Sequence, residues 1–152
     1  MTHRWAALLY VLVLIALMPR SLEAQGSQQN QDRERSSQGA LRQNFPNPFN
    51  PETTIPFSIG TESCTDASRT YLVTLRILNI LAQVVAVPVV QGGSSSVPGG
   101  RKLEKVELPC GDYTAYWDGT DRRGRQVASG VYIYQLEVNG RLIAAKRMLV
   151  TK

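Results

Sequence analysis

Three carboxylates stand near one another in the C-terminal third of the chain, at Asp112, Asp118 and Asp121. A glycosidase needs two carboxyl groups that face each other across a cleft, and Ca²⁺ takes about six to eight oxygen ligands. Asp118 and Asp121 lie on or beside a predicted turn, where aspartate is favoured because its side chain accepts local backbone hydrogen bonds. We therefore expect no enzyme site and no metal here, and calcium binding at Asp118 and Asp121 is kept as the milder alternative.

Histidine and cysteine chemistry is limited by where these residues fall. The single histidine, His3, lies in the leader segment, so the mature chain is expected to lack Ser-His-Asp and Cys-His arrangements, histidine metal sites and cofactors. In an exported chain, Cys64 and Cys110 are expected to form one disulfide, with free or intermolecular thiols as the alternative. Closing a loop of about 46 residues would stabilise the fold by roughly 3–4 kcal/mol in the chain-entropy picture.

The folded part of the chain, which would position any functional site, is predicted to begin only after about forty residues. Residues 1–24 combine a short basic start, an apolar run and a small residue at Ala24, which is typical of a secretory signal peptide. The apolar run is shorter than the roughly 20 residues of a spanning helix, so we expect cleavage and no lasting membrane span. Residues 25–40 are rich in Gln, Ser and Arg and predict a flexible linker. The folded domain is predicted over residues 41–152.

The formal charge of the chain is +5 at neutral pH, and it falls by one unit when the leader is removed. The remaining basic residues are spread along the chain rather than clustered with aromatic or helical readers, so we expect no nucleic-acid partner. A solvated basic face, or attraction to an acidic cell-surface polymer, is the interpretation that we favour.

Short alternating segments separated by turn signals fill residues 41–152. A period of two, about seven strands and the absence of a helical period predict an antiparallel β-sandwich of immunoglobulin type. Pro56 within residues 53–59 predicts an edge strand, residues 84–90 predict one strand, and Asn139-Gly140 predicts a tight hairpin before the last strand. The predicted interior consists of Ile55, Phe57, Val73, Leu75, Ile77, Val106, Tyr113, Trp117, Tyr132, Tyr134, Leu136 and Met148.

Residues 44–51 alternate prolines with asparagine and phenylalanine. Proline fixes φ and pushes the preceding residue to extended geometry, so this segment is predicted to be a rigid lead-in. We expect Phe45 and Phe49 to plug one end of the core. A proline-rich ligand for another module is the alternative.

Three ordered segments together resemble the C-terminal sorting domain of the type IX secretion system, whose immunoglobulin-like unit is shared with the flagellar hook-capping protein. We call them the first motif (residues 43–55), the second motif (residues 77–85) and the third motif (residues 117–134 closing on residues 146–152). The resemblance covers residues 41–152. Ala82 stands where the family usually has glycine, so we expect a different turn there, because positive φ suits glycine. The family's domain also normally trails a large cargo, whereas only a linker precedes it here.

The resemblance implies a non-catalytic export module. The chain would cross the inner membrane by its signal peptide, and outer-membrane secretion machinery would then read the folded domain and cleave it or attach cargo to surface polysaccharide. The product would lie in the periplasm, on the surface or outside a Gram-negative-type bacterium. A free-standing cell-envelope module that binds a protein or polysaccharide is the competing function.

Recognition by that machinery is predicted at the last strand and its tail. Lys146, Arg147 and Lys152 would supply charge beside an open backbone edge, and Gly130 and Tyr132 complete the predicted set. For the latter two residues a structural role is the favoured alternative: Gly130 would allow a tight start to its strand, and Tyr132 would lie in the core.

Overall fold

The structure, a computed structural model, describes residues 38–60, 68–91 and 99–152, which form two antiparallel β-sheets packed as a sandwich. The signal peptide, most of the linker and Cys64 lie outside the described residues. Within the described residues, no helix has the length and apolar character to span a membrane. The nine strands are β1 Gly39–Leu41, β2 Thr53–Ile59, β3 Thr70–Leu78, β4 Val84–Ala86, β5 Val89–Val90, β6 Val106–Pro109, β7 Gly111–Trp117, β8 Gly130–Val138 and β9 Arg141–Val150.

Each sheet collects strands from both halves of the domain. The first sheet has the order β1-β2-β7-β5, and the second has the order β4-β3-β8-β9 with β6 also paired to β3. In the first sheet Thr53 pairs with Trp117, and in the second Leu78 pairs with Ile133. The ring of Trp117 at the end of β7 contacts the ring of Tyr132 near the start of β8, so the start of β2, the end of β3, the end of β7 and the start of β8 lie at the same end of the sandwich.

The core follows the period of two that the sequence predicts. All twelve predicted interior side chains are buried, and β2 alternates buried and half-buried positions along its whole length. Fully burying a side chain of this size stabilises the fold by about 1.5–3 kcal/mol relative to leaving it exposed. The all-β sandwich prediction is confirmed, with nine strands in place of about seven.

The predicted single strand over residues 84–90 is wrong, because the chain changes sheet within it. β4 pairs with β3 in the second sheet, whereas β5 pairs with β7 in the first sheet. Pro88 lies between the two short strands and has no N–H to donate to a ladder, so continuous pairing through it is disfavoured. Its carbonyl instead accepts a hydrogen bond from the Leu103 N–H at 2.8 Å.

The prediction that Pro56 marks an edge strand is also wrong, because β2 lies between β1 and β7. The Pro56 carbonyl accepts from the Arg42 N–H at 2.9 Å, so the N–H that proline lacks would have faced the Arg42 carbonyl. That carbonyl accepts from the Tyr134 hydroxyl instead, at 3.0 Å. A side chain of the opposite sheet thus replaces the missing backbone donor. The linker predicted to run through residue 40 does not hold for its last two residues, since β1 begins at Gly39.

Two turns show how the backbone uses positive φ. Asn139 (φ 52°) and Gly140 (φ 76°) form the predicted hairpin between β8 and β9, which is confirmed. Ala82 also takes a left-handed φ of 59°, the conformation that suits glycine, and a departure from the family's turn stays a prediction. The Asn79 side-chain oxygen accepts from the Leu81 and Gln83 N–H groups at 3.0 Å, which stabilises the turn around the strained alanine.

Candidate recognition site at the motif end of the sandwich

The three motifs converge on one end of the sandwich, which we call the motif end. The first motif contains the start of β2, the second contains the end of β3, and the third contains the end of β7 and the start of β8. The Arg122 N–H of the third motif donates to the Val85 carbonyl of the second motif at 3.0 Å. Segments far apart in the sequence therefore make up one region of the molecule.

Trp117 is the side chain that joins the first and third motifs inside the core. Its ring meets the Phe49 ring at a centroid distance of 5.5 Å and the Tyr132 ring at 5.8 Å, both edge to face. Aromatic pairs in this geometry contribute about 0.5–1.5 kcal/mol each beyond area burial. The indole N–H donates to the Thr120 carbonyl at 2.9 Å, so the buried polar atom is satisfied.

The lead-in hydrogen-bonds to the end of β9. The Phe49 N–H donates to the Leu149 carbonyl at 3.0 Å, and the Phe49 carbonyl accepts from the Thr151 N–H at 3.0 Å. The Asn47 side-chain oxygen accepts from the Leu149 N–H at 2.9 Å. An open backbone edge along the end of the last strand was part of the recognition prediction, and this part is wrong because the lead-in occupies it.

Only one of the two phenylalanines of the lead-in is a plug. Phe49 is buried, whereas 74% of the Phe45 surface is exposed, so the prediction is wrong for Phe45. Asn44 takes the inward position next to it. The Asn44 side-chain amide donates to the Thr53 hydroxyl and to the Pro46 carbonyl, both at 3.0 Å. The inward asparagine thus satisfies polar groups where the lead-in turns into β2.

The Tyr134 hydroxyl holds the beginning of the lead-in. It donates to the Arg42 carbonyl and accepts from the Asn44 N–H, each at 3.0 Å. Burial raises the pKa of Tyr134 above its ordinary value, and the Asn44 N–H partly offsets this. Sequence reasoning placed Tyr134 in the core but could not identify these partners, which lie about ninety residues away.

Local hydrogen bonds engage the two aspartates of the loop between β7 and β8, residues 118–129, which we call the third-motif loop. Asp118 Oδ1 accepts from the Thr120 N–H at 3.0 Å and from the Thr120 hydroxyl at 2.7 Å. Asp121 Oδ1 accepts from the Arg123 and Arg125 N–H groups, and Oδ2 forms an ion pair with Arg125 at 2.8 Å. The Arg125 backbone N–H, and then its guanidinium, lower the pKa of Asp121. Among the described residues no group of three or more His, Cys, Asp or Glu side chains could hold a metal ion.

The third predicted carboxylate lies at the opposite end of the first sheet. Asp112 pairs with Ser58 near the start of β7 and approaches the Arg42 guanidinium at 3.5 Å, and both side chains of this pair are exposed. The structure therefore does not bring Asp112 together with Asp118 and Asp121. Calcium binding at the last two residues stays a prediction.

A cleft of about 540 Å³ lies beside the third-motif loop, between it and residues 86–89. Its lining includes the charged side chains of Lys102, Glu104 and Arg122, and the ring of Tyr116. The Tyr116 hydroxyl donates to a Glu52 carboxylate oxygen at 2.5 Å, and this hydrogen bond raises the pKa of Tyr116. The cleft offers mixed charge and one aromatic face to a ligand.

The predicted recognition residues do not form one surface. Gly130 begins β8 opposite Val150, and Tyr132 is buried, with its hydroxyl donating to the Ala128 carbonyl at 3.0 Å. The burial of Tyr132 agrees with the structural alternative for that residue, whereas the role of Gly130 stays a prediction.

Lys146 and Arg147 are consecutive in a strand and so point to opposite faces. Lys146 shares its face with the buried Met148 and is half-buried, whereas Arg147 is exposed on the face of Leu149. Lys152 is exposed beyond the end of β9. Of the predicted basic residues, Arg147 and Lys152 are thus the ones that a partner can approach freely.

The comparisons with known proteins concern the fold. No protein-family model matches the chain, and no curated protein matches it. Among solved structures, the crystal structure of dimeric latent PorU from Porphyromonas gingivalis is similar over 74% of this chain, with 19% identity and a TM-score of 0.52. The likeness shows the fold alone.

The chain spans 9% of the length of that PorU chain. A second similar structure is the alkylpurine DNA glycosylase AlkC from Pseudomonas fluorescens bound to DNA containing an abasic site analog, with 9% identity and a TM-score of 0.45. That similarity covers 76% of this chain and 31% of the glycosylase, and it carries no argument about this protein.

Because the first and third motifs approach closely, we expect alanine at two loop glycines to lower the free energy of unfolding by different amounts. Gly119 (φ 73°) and Gly124 (φ 76°) are both left-handed, but a Cβ on Gly119 would stand 2.3 Å from the Pro51 carbonyl oxygen, whereas one on Gly124 meets nothing within 4 Å. We expect Gly124→Ala to cost about 1–2 kcal/mol from backbone strain alone. Gly119→Ala should cost about 1–3 kcal/mol more, because backbone must move. Urea unfolding of both variants measures this, and equal losses would contradict the close approach.

Proposed function

We propose that this chain is a non-catalytic export module, an immunoglobulin-like domain that outer-membrane machinery of the type IX secretion kind reads in its folded state. The observation that carries the proposal is the convergence of the three motifs at the motif end. Machinery that reads a folded domain recognises groups that are neighbours in space, and the motifs become neighbours only after folding.

Contacts between the motifs support a shared role. Phe49 of the first motif packs on Trp117 of the third, and the Arg122 N–H of the third bonds to Val85 of the second. The lead-in also hydrogen-bonds along the end of β9, so the beginning and the end of the domain are joined directly. An unfolded or truncated domain would lose this arrangement as a unit, which suits a signal that reports completed folding.

The same proposal includes an exported location, with residues 1–24 as the signal peptide and a disulfide between Cys64 and Cys110. None of the described cysteines is free. A Cβ placed on Gly60 would stand 2.5 Å from the Cys110 sulfur, so Cys110 packs against the chain four residues before Cys64. Four extended residues span up to about 13 Å, so the chain is long enough for Cys64 to reach Cys110.

The second candidate is a free-standing cell-envelope module, and the cleft beside the third-motif loop favours it. Tyr116 supplies an aromatic face, and Lys102, Glu104 and Arg122 supply charge of both signs. Such a lining suits a polar ligand such as a surface polysaccharide, which would bind by stacking and hydrogen bonding. Stable retention of the intact mature chain on the cell surface, with Tyr116→Ala reducing polysaccharide binding, would support this candidate.

Export of a fusion protein tests the first candidate. Residues 38–152 are placed after a reporter that carries its own signal peptide, in a host with type IX machinery and in an otherwise identical host without it. We expect the reporter outside the outer membrane in the first host and in the periplasm of the second. Asn47→Ala, which removes the side-chain acceptor of the Leu149 N–H, should lower export, because the lead-in then holds β9 less firmly.

Asn50→Ala is the matched control for that variant. Asn50 is an exposed asparagine of the same lead-in, and its replacement should leave export unchanged. Periplasmic retention of the unaltered fusion in both hosts would overturn the proposed function. A periplasmic result for both asparagine variants would point to general sensitivity of the lead-in instead of the contact with β9.

A further inference from the structure

Exposed apolar side chains gather at the motif end, on the second sheet. Ile80 and Leu81, in the turn of the second motif, keep 75% and 72% of their surface exposed. Val131 and Leu149, which pair across β8 and β9, keep 45% and 38%. Single exposed apolar residues are ordinary, whereas grouped ones mark interaction surfaces. We call these four residues the apolar end patch.

Strand register explains why these residues share one region. Leu78 at the end of β3 pairs with Ile133, so the turn that carries Ile80 and Leu81 leaves β3 at the end of the sheet where β8 begins. Side chains alternate along a strand, and Tyr132 and Met148 point into the core. Their neighbours Val131 and Leu149 therefore point outward, on the face of the second sheet that no other layer of the described domain covers.

The charges beside the patch are positive. Arg147 lies across from Ile133, one residue pair before Val131 and Leu149, and Lys152 follows β9. The ion pairs of the described residues include neither of these two cations. A partner thus meets apolar side chains with a basic rim.

We propose that the apolar end patch and its basic rim are the docking surface for an acidic, amphipathic protein segment of the export machinery. This inference rests on the proposed function and specifies the chemistry of its partner. The apolar side chains supply the burial, and Arg147 and Lys152 pair with carboxylates, for which the guanidinium fork of Arg147 is well suited. A second copy of this chain would bring the same basic rim and be repelled.

The test compares two double variants in the fusion described above. Val131→Ser/Leu149→Ser removes apolar surface from the patch. Leu72→Ser/Leu142→Ser removes side chains of similar exposure, 40% and 46%, outside it. We expect the patch variant to lower the export rate by about tenfold, the effect of losing central apolar contacts from an interface, and the control to stay within about twofold. Equal export by the two variants overturns the inference.

A second pair of variants tests the patch through its turn and its rim, without changing the apolar residues of a strand. Ile80→Ser/Leu81→Ser changes only exposed turn residues, and Arg147→Glu reverses one rim charge. Each should lower export, and purified variants should unfold at the same urea concentration as the unaltered domain. Normal export of both overturns the inference, even where a strand variant fails to fold. If the unaltered fusion is itself retained in the periplasm, the proposed function fails first, so the two failures are distinguishable.

Two further measurements on the purified mature chain test whether a second copy of the chain or a lipid surface covers the patch instead. Sedimentation should give a monomer, and a dimer that disappears in Ile80→Ser/Leu81→Ser would overturn the inference in favour of self-association. Vesicles of zwitterionic lipid containing anionic phosphatidylglycerol should not bind the chain. Patch-dependent binding to them would overturn the inference in favour of a lipid surface.

Discussion

Trp117→Ala is expected to destabilise the domain by about 3–5 kcal/mol, the range for truncating a buried aromatic side chain. Trp117 is 3% exposed, meets Phe49 and Tyr132 edge to face, and satisfies its indole N–H through Thr120. Alanine would leave a cavity between the two sheets where the first and third motifs meet. Because domains of this size have a free energy of unfolding of about 5–15 kcal/mol, the loss is a large fraction of the total.

Tyr116→Ala is the matched control for this prediction. Tyr116 is the preceding residue of β7 and points to the other face, where it is half-buried and its hydroxyl bonds to Glu52. We expect a loss of about 1 kcal/mol, typical of a partly exposed position. Urea unfolding followed by circular dichroism measures both variants without depending on tryptophan fluorescence. Similar losses for Trp117→Ala and Tyr116→Ala would show that Trp117 does not hold the motif end together.

Tyr134→Phe is expected to cost about 2–4 kcal/mol, because it leaves two backbone groups without their partner. The lost hydroxyl donates to the Arg42 carbonyl and accepts from the Asn44 N–H. Pro56, which faces that carbonyl, has no N–H that could replace the hydroxyl as a donor. Tyr132→Phe is the control, since the Tyr132 hydroxyl donates to a single backbone group, the Ala128 carbonyl, and its loss should cost about 1 kcal/mol. Equal losses for the two variants would contradict the role given to Tyr134.

The same variant has a pH signature at alkaline pH. Burial raises the pKa of Tyr134, so the unfolded chain loses the phenolic proton near its ordinary pKa of about 10 while the folded domain still holds it. The contribution is therefore fully present below about pH 10, and stability falls as the pH rises from there toward the folded-state pKa. Urea unfolding from pH 8 to 11 should show a shallower alkaline loss for Tyr134→Phe than for the unaltered domain. An equal alkaline loss of stability in the two proteins would contradict a contribution from the Tyr134 phenol.

Several local features could be predicted because they depend on neighbours in the chain. Alternation of apolar residues identifies the interior of β2, β3, β7 and β8, since a strand presents successive side chains to opposite faces. Asn139-Gly140 identifies its hairpin because both residues tolerate the positive φ that a tight turn requires. The motifs themselves were also visible as sequence, and on them rests the proposal of an export role.

Other predictions failed where a distant group decides the outcome. Pro56 is accommodated inside a sheet because the Tyr134 hydroxyl, from the opposite sheet, bonds to the Arg42 carbonyl. Asn44 rather than Phe45 turns inward because Thr53 and Pro46 offer it partners. No periodicity within residues 41–56 contains that information.

By itself, the sequence determined the class of fold, the faces of the long strands and the three motifs, because period, turn chemistry and motif spacing are local properties. The folded structure was needed to learn that the motifs meet at one end, that the lead-in bonds to the end of β9, and that Arg147 lies beside exposed apolar residues. These facts depend on strand order and register, which arise from pairings between residues far apart in the chain.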